Sequence, residues 1–132
     1  IGRGQMLSLP SFLEKRRGIH EEYRRRLSGV PGLSLLENPD SRYHSNHWLT
    51  CVQVNPEEAR FDRETLRLAL QKAGVESRPL WKPMHLQPVF RSCPFYGSGV
   101  SDRLFEEGLC LPSGASLAGE DMDRIIDVLL NL

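Results

Sequence analysis

The sequence predicts an α+β domain built on a small, mainly antiparallel sheet with helices packed on one face. Three observations carry this reading. Helix and strand patterns alternate along the chain as α-β-β-α-β-α-β-α, an order that suits one layer of sheet under one layer of helices. The segment His47 to Val54 is apolar on both faces, with Trp48, Thr50, Val52 and Val54 on one side and Leu49 and Cys51 on the other, as expected of a strand inside a sheet. The chain has 132 residues, enough for one core and little more.

The elements follow in order. Ser11-Phe12-Leu13-Glu14 has the S-x-x-E form of a capping box. Phe12, Ile19, Tyr23 and Leu27 then recur at helical spacing, with Leu13 and His20 beside them. Pro10 precedes the cap, so a helix begun at Gly2 is expected to kink or break there. Val30-Pro31-Gly32 ends this helix. Leu33 to Leu36 reads as an edge strand, and Asn38 to Asn46 as a polar loop. Asp62 caps a helix carrying Leu66, Ala69, Leu70 and Ala73, with Gly74 at its left-handed end. Val75 to Trp81 is the next strand, followed by a Pro/Gly-rich stretch from Lys82 to Gly99. Ser101 is placed as the cap of a short helix that reaches Glu107 and stops at Gly108. Leu109-Cys110-Leu111 is a brief strand halted by Pro112. The last helix starts near Gly119 and carries Met122, Ile125, Ile126, Leu129 and Leu130 on one stripe. Phe12, Ile19, Tyr23, Leu66, Leu70, Ile125 and Leu129 are the side chains expected to point inward.

Composition narrows the function. Lys plus Arg and Asp plus Glu both number 17, for a net charge of +0, so nothing global points to nucleic acid or an anionic membrane. The basic runs Lys15-Arg16-Arg17 and Arg24-Arg25-Arg26 are interrupted by Glu14, Glu21 and Glu22 and read as a solvated helix face. After Ser101 the charge turns acidic, so the basic first helix is expected to pack near the late elements. Three cysteines, an odd number without a CxxC, do not form a disulfide framework; reduced thiols in a cytoplasmic protein are the simpler account. Cys51 and Cys110 read as core, and Cys93 as a loop residue. No apolar run approaches the ~20 residues that a membrane helix needs. His44, His47 and Cys51 lack the second close pair of ligands that a structural zinc site uses, so no metal is expected.

Chemical groups concentrate in Glu76-Ser77-Arg78-Pro79-Leu80-Trp81-Lys82-Pro83-Met84-His85-Leu86-Gln87-Pro88-Val89-Phe90. Its prolines make a stiff excursion from a strand end. A guanidinium, an indole, an ammonium, an imidazole and an amide together can hold a polar ligand that has an aromatic plane. Equally, Trp81 and Phe90 can pin a plain surface loop to the core; composition alone balances the two. A cysteine nucleophile paired with His85 is conceivable but needs a thiolate-stabilising setting.

This stretch resembles the signature near the end of DegT/DnrJ-type sugar aminotransferases, fold type I enzymes that use pyridoxal phosphate (PLP). Other segments resemble the same family in order: Ile1-Gly2-Arg3-Gly4-Gln5-Met6, Lys15-Arg16-Arg17 with Tyr23, Ser45-Asn46-His47-Trp48-Leu49-Thr50, Leu104 through Gly114, and Glu120 through Ile126. The resemblance implies a ping-pong transamination in which PLP, held as an aldimine on a lysine, takes an amino group from glutamate and passes it to a keto-sugar nucleotide. It further implies that residues 1–132 form the C-terminal small domain, that the lysine and most cofactor contacts lie in an absent large domain, and that the isolated chain is inactive. Lys15, Lys72 and Lys82 do not match that lysine's sequence context. Trp81, Lys82 and His85, backed by Arg78 and Gln87, are the implied substrate-side residues. The W-K-P-M-H-L-Q-P form suggests a UDP-linked 4-keto-6-deoxy sugar destined for surface polysaccharide, and full-length relatives imply a homodimer. Two competing readings are a free-standing α+β module that binds a partner protein and a helix-led nucleic-acid binder.

Overall fold

The computed structural model describes residues 2–132 and is built around a four-stranded antiparallel sheet. Helix α1 (Gly2–Leu27) leads to strand β1 (Leu33–Leu35) and strand β2 (Thr50–Val54). A single turn of helix, α2 (Pro56–Ala59), precedes α3 (Arg63–Lys72) and the two-residue strand β3 (Arg78–Pro79). Two 3₁₀ turns (Met84–Leu86 and Pro88–Phe90) lie in the long loop before α4 (Val100–Glu107). Strand β4 (Gly108–Leu111) and helix α5 (Gly119–Leu130) complete the chain. The strand order is β1-β2-β4-β3, so the two interior strands are the two with apolar residues on both faces.

Strand alternation decides where the core lies. Thr50, Val52 and Val54 of β2 are buried, and Leu111 and Leu109 stand opposite Thr50 and Val52 on the same face. Helices α1, α3 and α5 close over that face with Tyr23, Leu27, Leu66, Leu70, Met122, Ile125, Ile126 and Leu129. Each such side chain contributes roughly 1.5–3 kcal/mol by leaving water. The opposite face carries Cys51 and Cys110, and Gln53 Nε2 there donates to Glu107 Oε2 at 2.5 Å, at the end of α4. Asp62 caps α3 as expected, its Oδ1 accepting from the Thr65 amide at 2.7 Å. Gly32 turns the chain into β1 at φ 72°, where a Cβ would run into the backbone of Ala59, so this position needs glycine twice over.

Several expectations are corrected. Helix α1 runs through Pro10 without a break, and Ser11 is an interior residue rather than a cap. Residues 2–12 are all exposed, so the carbonyl that Pro10 leaves without an amide partner opens to water instead of ending the helix. Phe12 is 45% exposed and Ile19 only half-buried, whereas the other five predicted core residues are buried. Length explains the difference. A 26-residue helix spans about 39 Å, and a five-residue strand only about 17 Å, so the first half of α1 overhangs the sheet. Trp48 lies outside β2 and is 60% exposed. The strand expected over Val75 to Trp81 shrinks to Arg78–Pro79 at the sheet edge, where Pro79 stands at a position whose amide would point away from β4 and the Leu80 amide still donates to the Gly108 carbonyl at 3.2 Å. Gly99, at φ 76°, sits at the N-cap of α4 in place of Ser101, and no side chain caps that helix.

Candidate functional site

A cleft of about 680 Å³ opens where the end of β4 meets the start of α5 and the loop before β2. That volume falls within the range of small-molecule sites. Its floor is made by Cys110, Leu111, Ser113 and Ile125, all buried. Its rim carries Trp48 and Trp81, whose rings tilt at 37° with centroids 6.2 Å apart. That spacing is typical of interacting aromatics.

The rim is positioned from the first helix. Arg16 Nη1 donates to the Trp48 carbonyl at 2.6 Å, and Arg17 Nε to the Ser45 carbonyl at 3.2 Å. The basic run that reads from sequence as a solvated face therefore holds the loop that carries Trp48. Beneath that loop the His20 and His47 rings stack, with centroids 3.7 Å apart and planes 23° from parallel. His20 is buried, with Nε2 3.3 Å from Glu37 Oε2 and Nδ1 3.5 Å from Thr50 Oγ1. Burial, and then the neighbouring His20, push the pKa of His47 down. His47 adopts φ 44°, a left-handed conformation that aims the chain toward Trp48. The Thr50 amide donates to Ser113 Oγ at 2.8 Å, and Ser113 donates onward to the Leu111 carbonyl at 2.9 Å, joining rim to floor.

The charged groups of the cleft are paired. Arg78 meets Glu76 at 2.6 Å and Arg124 meets Asp121 at 2.8 Å, two guanidinium–carboxylate pairs facing the same space. Ser77 also lines the cleft, and its Oγ is buried without a hydrogen-bond partner. A buried hydroxyl of this kind is ready to accept from or donate to a bound polar group.

The structure divides the five residues singled out by sequence. Trp81 and Arg78 line the cleft. His85 does not: its ring stacks on Phe95 at 3.6 Å, and Nε2 lies 2.7 Å from Asp102 Oδ1, in a smaller hollow formed by the long loop itself. Gln87 turns back on the loop, donating to the Lys82 carbonyl at 3.2 Å. Lys82 is exposed and outside the cleft lining. Trp81 is 66% exposed, so it does not pin the loop to the core; Pro83 is the buried residue there, and Leu80 packs into the space beside Gly108 that a Cβ would fill. Sequence reading missed Trp48, Ser77 and Arg124. The Trp48 signal was masked by its placement in a strand, and the Arg124 signal by its place on an amphipathic helix.

The chain's three lysines, Lys15, Lys72 and Lys82, are all exposed and none lines the cleft. The cleft therefore has no lysine amine in its lining, and its residues do not by themselves supply the covalent anchor for PLP. Among the described residues, no group of three or more His, Cys, Asp or Glu side chains is arranged to hold a metal ion. Among the described residues, no helix is long and apolar enough to cross a membrane.

Fold and cleft together describe an aminotransferase-type α+β domain. The solved structure of the aminotransferase TlmJ from Streptoalloteichus hindustanus superposes with a TM-score of 0.85 and 27% identity, over 98% of this chain and 34% of TlmJ. The chain belongs to the DegT/DnrJ/EryC1/StrS aminotransferase family, whose model matches residues 1–130. It is 34% identical over 136 residues to EpsN of Bacillus subtilis (strain 168), whose name places it among pyridoxal phosphate-dependent aminotransferases; the match covers 100% of this chain and 34% of EpsN. It is 26% identical over 132 residues to the GDP-perosamine synthase of Vibrio cholerae, covering 99% of this chain and 35% of that enzyme. The chain thus spans about a third of the length of the curated relatives it matches.

Proposed function

We propose that these residues form the C-terminal small domain of a PLP-dependent aminotransferase that moves an amino group from glutamate to a keto-sugar nucleotide. The observation that carries the reading is the cleft rimmed by Trp48 and Trp81, with Arg78, Arg124 and the unpartnered Ser77 hydroxyl around it. Indole faces stack on sugar and base planes, and guanidinium groups complement diphosphate. Kinship to a GDP-perosamine synthase supports a sugar-nucleotide substrate. The cofactor, its lysine and the glutamate site belong, in this reading, to a large domain that these residues join, and the 132-residue chain alone does not transaminate. The working enzyme is a cytoplasmic homodimer, and a UDP-linked 4-keto-6-deoxy sugar is the first substrate to test.

In this reading the site residues take separate roles. Trp81 and Arg78 contact the nucleotide sugar directly. His85, Gln87 and Lys82 set the course of the loop that presents Trp81. The test uses single-turnover absorbance of the PLP enzyme, following each half-reaction separately. Trp81→Ala should slow the sugar half-reaction at least tenfold while leaving the glutamate half-reaction within about twofold. Equal loss in both halves would remove the substrate-side assignment. A second measurement uses this chain directly. Its two tryptophans both line the cleft, so UDP-, GDP- and dTDP-linked sugars that bind there should change its fluorescence with saturation. A flat response to all three would count against the cleft.

A further inference from the structure

Cys51 and Cys110 stand directly opposite each other on the two interior strands, on the sheet face away from the main core. Their sulfurs lie 3.8 Å apart. The hydrogen-bond pattern fixes the kind of pair they form. The Cys51 carbonyl accepts from the Leu36 amide, so its backbone polar groups point toward β1. The Gly108 carbonyl accepts from Leu80, which places the matching groups of Gly108 and Cys110 toward β3. The two cysteines are therefore a non-hydrogen-bonded antiparallel pair, the closer of the two kinds, with Cα atoms about 4.5 Å apart. Disulfides span Cα separations of about 4.4–6.8 Å. The strands already hold the two residues within bonding range, and side-chain rotation alone can bring the sulfurs together.

We propose that Cys51 and Cys110 are a redox-active dithiol that closes into a reversible cross-strand disulfide by exchange with a low-molecular-weight disulfide. Cys110 is one of the residues that line the cleft, the side from which a small reagent comes nearest to the pair. The contact between the two sulfurs, in which either can donate, splits their titration, holding the Cys110 thiol below the ordinary cysteine value and the Cys51 thiol above it. Cys110 thus supplies the attacking thiolate. It displaces one thiolate from the small disulfide, forming a mixed disulfide. Cys51 loses its proton and displaces the second thiolate, forming the Cys51–Cys110 bond. Two protein thiols give up two electrons and two protons in total; the small disulfide takes both electrons and becomes two thiols. Cys93 is exposed on the long loop and takes no part. The inference is independent of the transamination reading, since it rests on the strand register and the distance between the two sulfurs.

The experiment equilibrates the Cys93→Ser chain in glutathione buffers stepped from reducing to oxidising, quenches with acid, alkylates, and weighs the intact protein. The expected result is a change from two alkylated thiols to none, in a species lighter by two hydrogens. Digestion should then yield a peptide pair joining Cys51 to Cys110 that separates on reduction. The same populations should be reached from the reduced and the oxidised side. Cys51→Ser in this background should lose the two-hydrogen species completely. Two alkylated thiols throughout the series, a stable glutathione adduct in place of the internal bond, or persistence of the lighter species in Cys51→Ser would each overturn the proposal.

Discussion

Tyr23 shows how a single residue can serve both stability and site. Its ring is fully buried, and its hydroxyl donates to the Pro112 carbonyl at 2.9 Å, between the end of β4 and the cleft floor. Burial alone raises its pKa above the ordinary tyrosine value, so it stays neutral and a donor. Tyr23→Phe keeps the packing but strands the carbonyl, and should cost about 1 kcal/mol in urea denaturation without changing the slope. Leu66→Ala, which opens a cavity at a fully buried position, should cost about 2–5 kcal/mol. Phe12→Ala, on the overhanging part of α1, should stay within about 0.5 kcal/mol of the parent. A large loss for Phe12→Ala would mean that the first half of α1 packs more closely than its exposure implies. The helical stripe that predicts Phe12 as core is real, but periodicity records which side of a helix is apolar and says nothing of how far the sheet beneath it extends.

At the scale of elements, the loop between β1 and β2 is tied down by titratable groups. His47 stacks on His20, which faces Glu37 and Thr50, and Arg17 approaches from α1. Burial and the neighbouring imidazole depress the His47 pKa, and Glu37 opposes them. Below the ordinary imidazole value of 6.5 the unfolded chain then binds more protons than the native loop. The stabilisation is present above that value and is lost as pH falls through the lower native pKa. In a Trp81→Phe background, Trp48 fluorescence should be flat above pH 6.5 and change as the pH drops below it. His47→Asn, which tolerates the left-handed backbone, should remove the transition. A transition that survives His47→Asn would assign the titration elsewhere. Sequence made the existence and order of nearly every element legible, because alternation and helical spacing are local. It did not reveal the His20–His47 stack, the Arg16 contact with Trp48, or the division of His85 from Trp81. Those depend on which loops meet in space, and nothing in the local pattern of residues encodes such meetings.

For the whole molecule, the basic-to-acidic asymmetry resolves into one tie. Arg26 of α1 reaches Asp123 of α5 at 2.5 Å while also bonding Glu22. Arg25 and Arg26 together hold the Glu22 carboxyl down to about 2. The other arginines of that run pair along the helix itself and contribute little, being open to solvent. The overhanging half of α1 presents Met6 and Leu7, 65% and 81% exposed, with Leu9 and Phe12 behind them. If the proposed large domain joins here, the amides of residues 2–12 should exchange with deuterium at least a hundredfold more slowly in the complete enzyme than in the 132-residue chain. Matching rates in both would place the domain contact elsewhere.

The interior strands that pair Cys51 with Cys110 are 59 positions apart in sequence. Until β4 has been made, β1 and β2 therefore stand as a bare antiparallel pair joined across a long link. Closing so distant a pair is slow compared with forming the helices around it. During translation at about 5–20 residues per second the apolar edge of β2 stays open for several seconds. A polypeptide that ends before β4 would leave that edge unpaired, with α1 to α4 already formed and only the β1–β2 pair to pack them on.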